Sequence, residues 1–149
     1  TGARIGLIGE IGVSGEFTDT EKKVLEGSAK AAVRTGLPLM VHLPGWDRLG
    51  HEVLDVVEAC ELNPARVILC HMNPSCGDQP YQKALAARGA FIEYDMVGMD
   101  YIFEQGRVTC PTDNESAIGL ANLAEAGHLS QLLLSQDVFL KSMLSIHGG

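Results

Sequence analysis

Five short apolar runs, each delivering a carboxylate or an imidazole at its carboxyl end, constrain this chain more than any other feature. Arg4-Ile5-Gly6-Leu7-Ile8-Gly9 runs into Glu10, and Leu39-Met40-Val41 runs into His42. Arg66-Val67-Ile68-Leu69-Cys70 reaches His71, Ala90-Phe91-Ile92-Glu93-Tyr94 reaches Asp95, and Gln131-Leu132-Leu133-Leu134-Ser135-Gln136 reaches Asp137. A strand buried on both faces of a parallel sheet reads as such a continuous apolar run. Its carboxyl end is where open α/β sheets and β/α barrels place their chemistry. Most of the runs follow one another at the roughly 30 residues of a βαβ unit.

Helical signals fill the gaps, so strand and helix alternate and the sheet should be parallel. Thr18-Asp19-Thr20-Glu21 is a capping box, followed by the apolar stripe Val24, Leu25, Ala29, Ala32 and Val33 and closed by Gly36. A second helix covers residues 48–60, with His51 on its polar face. A third begins near Pro80 with Asp78 as its cap and ends at Gly89. Thr112-Asp113-Asn114-Glu115 is a second capping box, launching a helix that stops at Gly127-His128. Val138, Phe139, Leu140, Met143 and Leu144 suggest the start of another helix. The segment from Met96 to Pro111, carrying Met99, Tyr101 and Phe103, reads as a long irregular loop of the kind that forms a lid or pocket wall.

A chain of 149 residues that is 46% hydrophobic has material for one core. Its 11 basic residues are scattered among 19 acidic ones, giving a net charge of −8 and no stripe suited to a phosphate backbone. Nucleic acid is therefore not an expected partner. Nor is a membrane, because no apolar run approaches the ~20 residues needed to span one. The N-terminus lacks the pattern of a signal peptide, which points to the cytoplasm. Cys60, Cys70, Cys76 and Cys110 are irregularly spaced without a C-x-x-C, so buried reduced thiols are expected rather than disulfides or a zinc knuckle.

Each candidate also has a plainer reading. Glu10 alone is an ordinary loop carboxylate, and a lone strand-end histidine is more often structural than a ligand. His42 and His71 together, on neighbouring strands, favour coordination. Glu93 and Asp95 point the same way by strand alternation, toward the centre or toward a balancing cation such as Lys141. Trp46 fits a pocket wall and helix packing equally well. A doubly wound nucleotide-binding sheet is the weakest alternative, since no glycine-rich phosphate loop follows a strand.

Ile8-Gly9-Glu10-Ile11-Gly12, Val41-His42, Leu69-Cys70-His71, Leu85-Ala86-Ala87-Arg88-Gly89-Ala90, Glu93-Tyr94-Asp95 and Leu134-Ser135-Gln136-Asp137 resemble the phosphotriesterase family of the amidohydrolase superfamily. The resemblance implies an α/β fold that is part of a TIM (β/α)8 barrel, about five parallel strands with intervening helices, running from barrel strand four to strand eight. On that likeness residues 1–149 are the C-terminal part of a metal-dependent hydrolase barrel, without its first strands and final helix. It implies two divalent metal ions, zinc first, with manganese, cobalt or iron as alternatives. Glu10 falls on the bridging ligand, His42 and His71 on the histidines of the second metal, and Asp137 on the aspartate that binds the first metal and takes a proton from the bridging water. Trp46, Asp95, Tyr101 and Lys141 would border the substrate pocket.

The family's first-strand His-x-His has no counterpart here, and Gln136 stands where relatives often carry His or Asn. Five strands do not close an eight-stranded barrel, so the chain reads as a fragment of a longer frame, with an upstream leader left open. The expected activity is hydrolysis of a small-molecule ester, lactone or phosphoester, by a full-length parent that has room to be a homo-oligomer. The competing reading is a catalytically silent barrel fragment, or one part of a split barrel that needs a partner.

Overall fold

The computed structural model describes residues 2, 4–99, 102–103 and 108–148. Eleven elements among the described residues position the site: β1 (Ile8–Gly12), α1 (Asp19–Thr35), β2 (Leu39–His42), α2 (Gly50–Ala59), β3 (Val67–Leu69), α3 (Gln79–Ala87) and β4 (Phe91–Tyr94) come first. An antiparallel hairpin of β5 (Ile102–Phe103) and β6 (Val108–Thr109) is inserted before α4 (Asp113–Leu123), and β7 (Leu132–Leu134) follows. No helix among the described residues is long and apolar enough to cross a membrane.

The main sheet has the order β1-β2-β3-β4-β7, and every neighbouring pair is parallel. This order never reverses. A doubly wound sheet requires a reversal to make its nucleotide crevice, so the nucleotide-binding alternative is overturned. A sheet wound in one direction keeps its crossover helices on one face, as a sector of a β/α barrel does.

Alternation along the central strands sorts the side chains. Leu39, Val41, Val67, Leu69, Ile92 and Tyr94 are fully buried in one core with Leu25 and Ala29 of α1, Val53, Leu54 and Val57 of α2, Leu85 of α3 and Leu123 of α4. Met40 and Ile68, one residue out of phase and paired with each other, are only half-buried on the opposite face. Both capping boxes form as expected: the Thr18 hydroxyl accepts from the Glu21 N–H at 3.3 Å while the Thr18 N–H donates to Glu21 at 2.7 Å, and Thr112 and Glu115 repeat the pattern. Gly36 closes α1 with φ 72° and Asp78 caps α3.

Four expectations need correction. The expected first strand, residues 4–10, instead runs from Ile8 to Gly12, so Glu10 lies in its middle rather than at its end. The stretch from Met96 to Pro111 contains a hairpin. Residues after Asp137 form no α-helix, only 3₁₀ turns at Lys141–Met143 and Ser145–His147, with Val138, Phe139 and Leu140 exposed. Three adjacent apolar residues spread around a helix and give it no single face to bury. His51 is half-buried, not a surface residue: its carbonyl accepts from Arg88 at 3.2 Å and its ring meets Tyr81 edge-on.

Candidate metal centre

The sheet brings three of the expected residues together directly. His42 ends β2, His71 stands two residues beyond β3, and Glu10 lies on β1, the other neighbour of β2. Nε2 of His71 is 2.8 Å from Nδ1 of His42 and 3.1 Å from Oε1 of Glu10, and that same carboxylate oxygen is 3.8 Å from His42 Nδ1. One donor atom from each of the three falls within 4.8 Å of the others. Two imidazoles and a carboxylate suit zinc or a similar first-row cation.

Glu10, Cys70 and Asp95 also bring one donor atom each within 4.8 Å of the others, but two members of that group are already engaged. The Cys70 thiol donates to Glu93 at 3.3 Å, and Asp95 takes the His71 backbone N–H on both oxygens and the His71 ring Nδ1 at 3.0 Å. Burial and then the neighbouring acids push the Cys70 thiol far above its ordinary range, so it remains protonated. The available donor set is therefore Glu10, His42 and His71.

Electrostatics divides the two histidines. Burial, then the adjacent His71, lowers His42 against the pull of Glu10, Asp137 and Asp95. Burial also opposes the charged form of His71, but the hydrogen bond and charge of Asp95, with Glu10 and Asp137, outweigh it and raise the group. Asp137 follows β7 with φ 44°, and burial, reinforced by Asp95 and Glu10, raises its carboxyl against the two imidazoles.

Two cavities meet at this centre. The outer one, about 310 Å³, is bounded by His42, His71 and Asp137 and walled by Leu43, Pro44, Gly45, Trp46, Met96, Met99, Val108 and Phe139. The inner one, about 130 Å³, is lined by Glu10, Met40, Cys70, Glu93, Asp95, Ser135 and Asp137. Asp137 borders both. Trp46 is a wall of the outer cavity, and its indole N–H donates to the Thr109 carbonyl at 3.1 Å, tying that wall to the hairpin. Gly45 is a glycine by necessity, because a Cβ there would stand 2.5 Å from the His71 carbonyl oxygen.

The other expected pocket residues are placed differently. Asp95 lies behind His71 at 5% exposure, away from the outer cavity wall, because both its oxygens face the His71 backbone. Lys141 is exposed in the last segment, and Glu93 and Asp95 take Cys70 and His71 as partners in place of that cation. Tyr101 and the Phe103 side chain lie outside the described residues. Sequence reasoning missed Met96 and Val108 as walls. Their position depends on the hairpin, which carries no strong turn signal.

Comparison with known proteins places this geometry in a family. The phosphotriesterase family model matches residues 1–149. N-acetyltaurine hydrolase of Danio rerio is 32% identical over the whole chain, which spans 43% of that relative's length. A resiniferatoxin-binding protein from Rhodobacter sphaeroides is 58% identical and superposes with a TM-score of 0.96 over all of this chain and 42% of its own. A phosphotriesterase homology protein from Escherichia coli, solved with phosphate in its active site, is 28% identical with a TM-score of 0.86, covered over 48% of its length. The chain thus spans less than half of the relatives it matches, as a partial barrel does, and it belongs to the phosphotriesterase family.

Proposed function

We propose that the protein carrying this chain is a binuclear metal-dependent hydrolase, with residues 1–149 as the C-terminal part of its barrel. The observation that carries this reading is the convergence of Glu10, His42 and His71 within 4.8 Å at neighbouring strands of one parallel sheet. Glu10, His42 and His71 would hold one cation, and Glu10 and Asp137 would contribute to a second. Bound there, a divalent pair lowers the pKa of water and polarises a carbonyl or phosphoryl oxygen.

The chain's own residues supply the rest. Asp137 accepts the proton from the attacking water and returns it to the leaving group, a task suited to a carboxylate that borders both cavities. Trp46, Met96, Met99, Val108 and Phe139 form an apolar wall that holds the uncharged part of a substrate and excludes water. The substrate class is a carboxylic ester, lactone or phosphoester. The name of the Danio rerio relative adds an N-acyl amide to the compounds to be tried.

The test uses the intact protein: metal content by elemental analysis, then turnover of a lactone, an ester, a phosphoester and an N-acyl amide before and after chelation. Two metals per chain and chelator-sensitive turnover are expected. A protein that holds no metal, or whose turnover survives chelation, overturns the reading. A second reading applies to the 149-residue chain by itself, which has no His-x-His and is favoured as silent on that ground. Metal retention with turnover by that chain would remove it.

A further inference from the structure

We infer that Asp95 is a positioning residue that decides which nitrogen of His71 is free to bind a cation. The inference rests on the proposed metal-dependent reading and names a role beyond ligation. Asp95 makes no approach to the outer cavity. It is buried at the end of β4, and its two oxygens accept the His71 backbone N–H at 3.0 and 3.1 Å. An aspartate carboxylate accepts hydrogen bonds and donates none. The 3.0 Å contact between Oδ1 and Nδ1 is then a bond donated by the imidazole.

An imidazole that donates from Nδ1 presents its lone pair on Nε2. That nitrogen is the one facing Glu10 and His42. The same carboxylate also stabilises an unusual backbone. His71 has φ 58°, in the left-handed region that non-glycine residues seldom occupy, and the N–H released by that turn is the one Asp95 accepts. One side chain therefore fixes both the direction of the ring and its tautomer. Glu93, two residues earlier on the same strand, serves Cys70 instead, so the role belongs to position 95 alone.

The test compares the parent enzyme with Asp95→Asn and Asp95→Glu, all full-length and labelled with ¹⁵N-histidine. Zinc affinity is read by competition with a chelating dye, and ring ¹⁵N shifts report the tautomer. Asparagine keeps an oxygen for the backbone N–H but offers an NH₂ to the ring, which favours protonation on Nε2. Zinc affinity should fall about 10–100-fold in Asp95→Asn, with His71 observed as the Nε2–H form, and Asp95→Glu should recover part of the loss. Unchanged zinc affinity in Asp95→Asn overturns the inference. So does a metal-free parent whose His71 carries a proton on Nε2 and none on Nδ1, a result available even if the variants do not fold. A parent that binds no zinc instead overturns the proposed function.

Discussion

His71 and Asp137 both follow strands of one sheet, yet they are held in opposite ways. β3 lies between β2 and β4, and the residue beyond it is locked: His71 is 7% exposed, with His42, Glu10 and Asp95 all within 3.1 Å. Among the described residues of this chain β7 pairs only with β4, its last residue Leu134 is 66% exposed, and Phe139 just past Asp137 is 62% exposed. The difference teaches that a strand end gains geometric definition from neighbours on both sides. The sheet fixes the imidazoles from its centre and carries the acids Glu10 and Asp137 on its edges. On the proposed reading, the two imidazoles and Glu10 bind, and Asp137 moves the proton.

The largest test of that contrast is Asp137→Asn in the intact enzyme. Loss of the proton acceptor should lower turnover by about 10²–10⁴-fold. Undiminished turnover would break the division of labour between centre and edge. The second test compares stability. In the 149-residue chain, Leu69→Ala, in fully buried β3, should cost about 2–5 kcal/mol in a urea titration, whereas Leu134→Ala, exposed in that chain, should stay within about 0.5 kcal/mol. Equal costs would mean that β7 is covered as well as β3.

The smallest effect isolates a device that needs no neighbouring strand. Hydrogen bonds from Thr18 and Ser14 hold the Glu21 carboxyl at about 2 instead of the ordinary 4.5. Its folded value lies below its unfolded one, so its stabilisation of α1 is complete above pH 4.5 and is lost as the pH falls toward 2. A carboxyl ¹³C titration of Glu21 should show a midpoint near 2, and one near 4.5 would remove the cap from the account. Glu115 in α4 is lowered for the same reason.

Much of the candidate site was readable because its residue types recur where apolar runs give way, at His42, His71 and Asp137, although Glu10 proved to lie inside β1. Their partners were not readable. The 24-position separation of His71 and Asp95 carries no periodicity that would link a carboxylate to a particular imidazole. Alternation correctly set Glu93 and Asp95 on one face, yet it gave no sign that one would serve a thiol and the other a ring nitrogen.

The sequence by itself determined the alternation of strand and helix, both capping boxes and the glycine that ends α1, because those interactions close within about four residues and need only the local chain. Tertiary structure decided the rest. α2 has no side-chain cap of its own, and its Gly50 N–H is satisfied by the Tyr81 hydroxyl 31 residues away. The tautomer of His71, the hairpin wall tied to Trp46 and the unwound segment after Asp137 likewise depend on what the folded sheet sets beside them. Distant groups become neighbours only once the apolar runs have been buried together, and no local pattern specifies which groups those are.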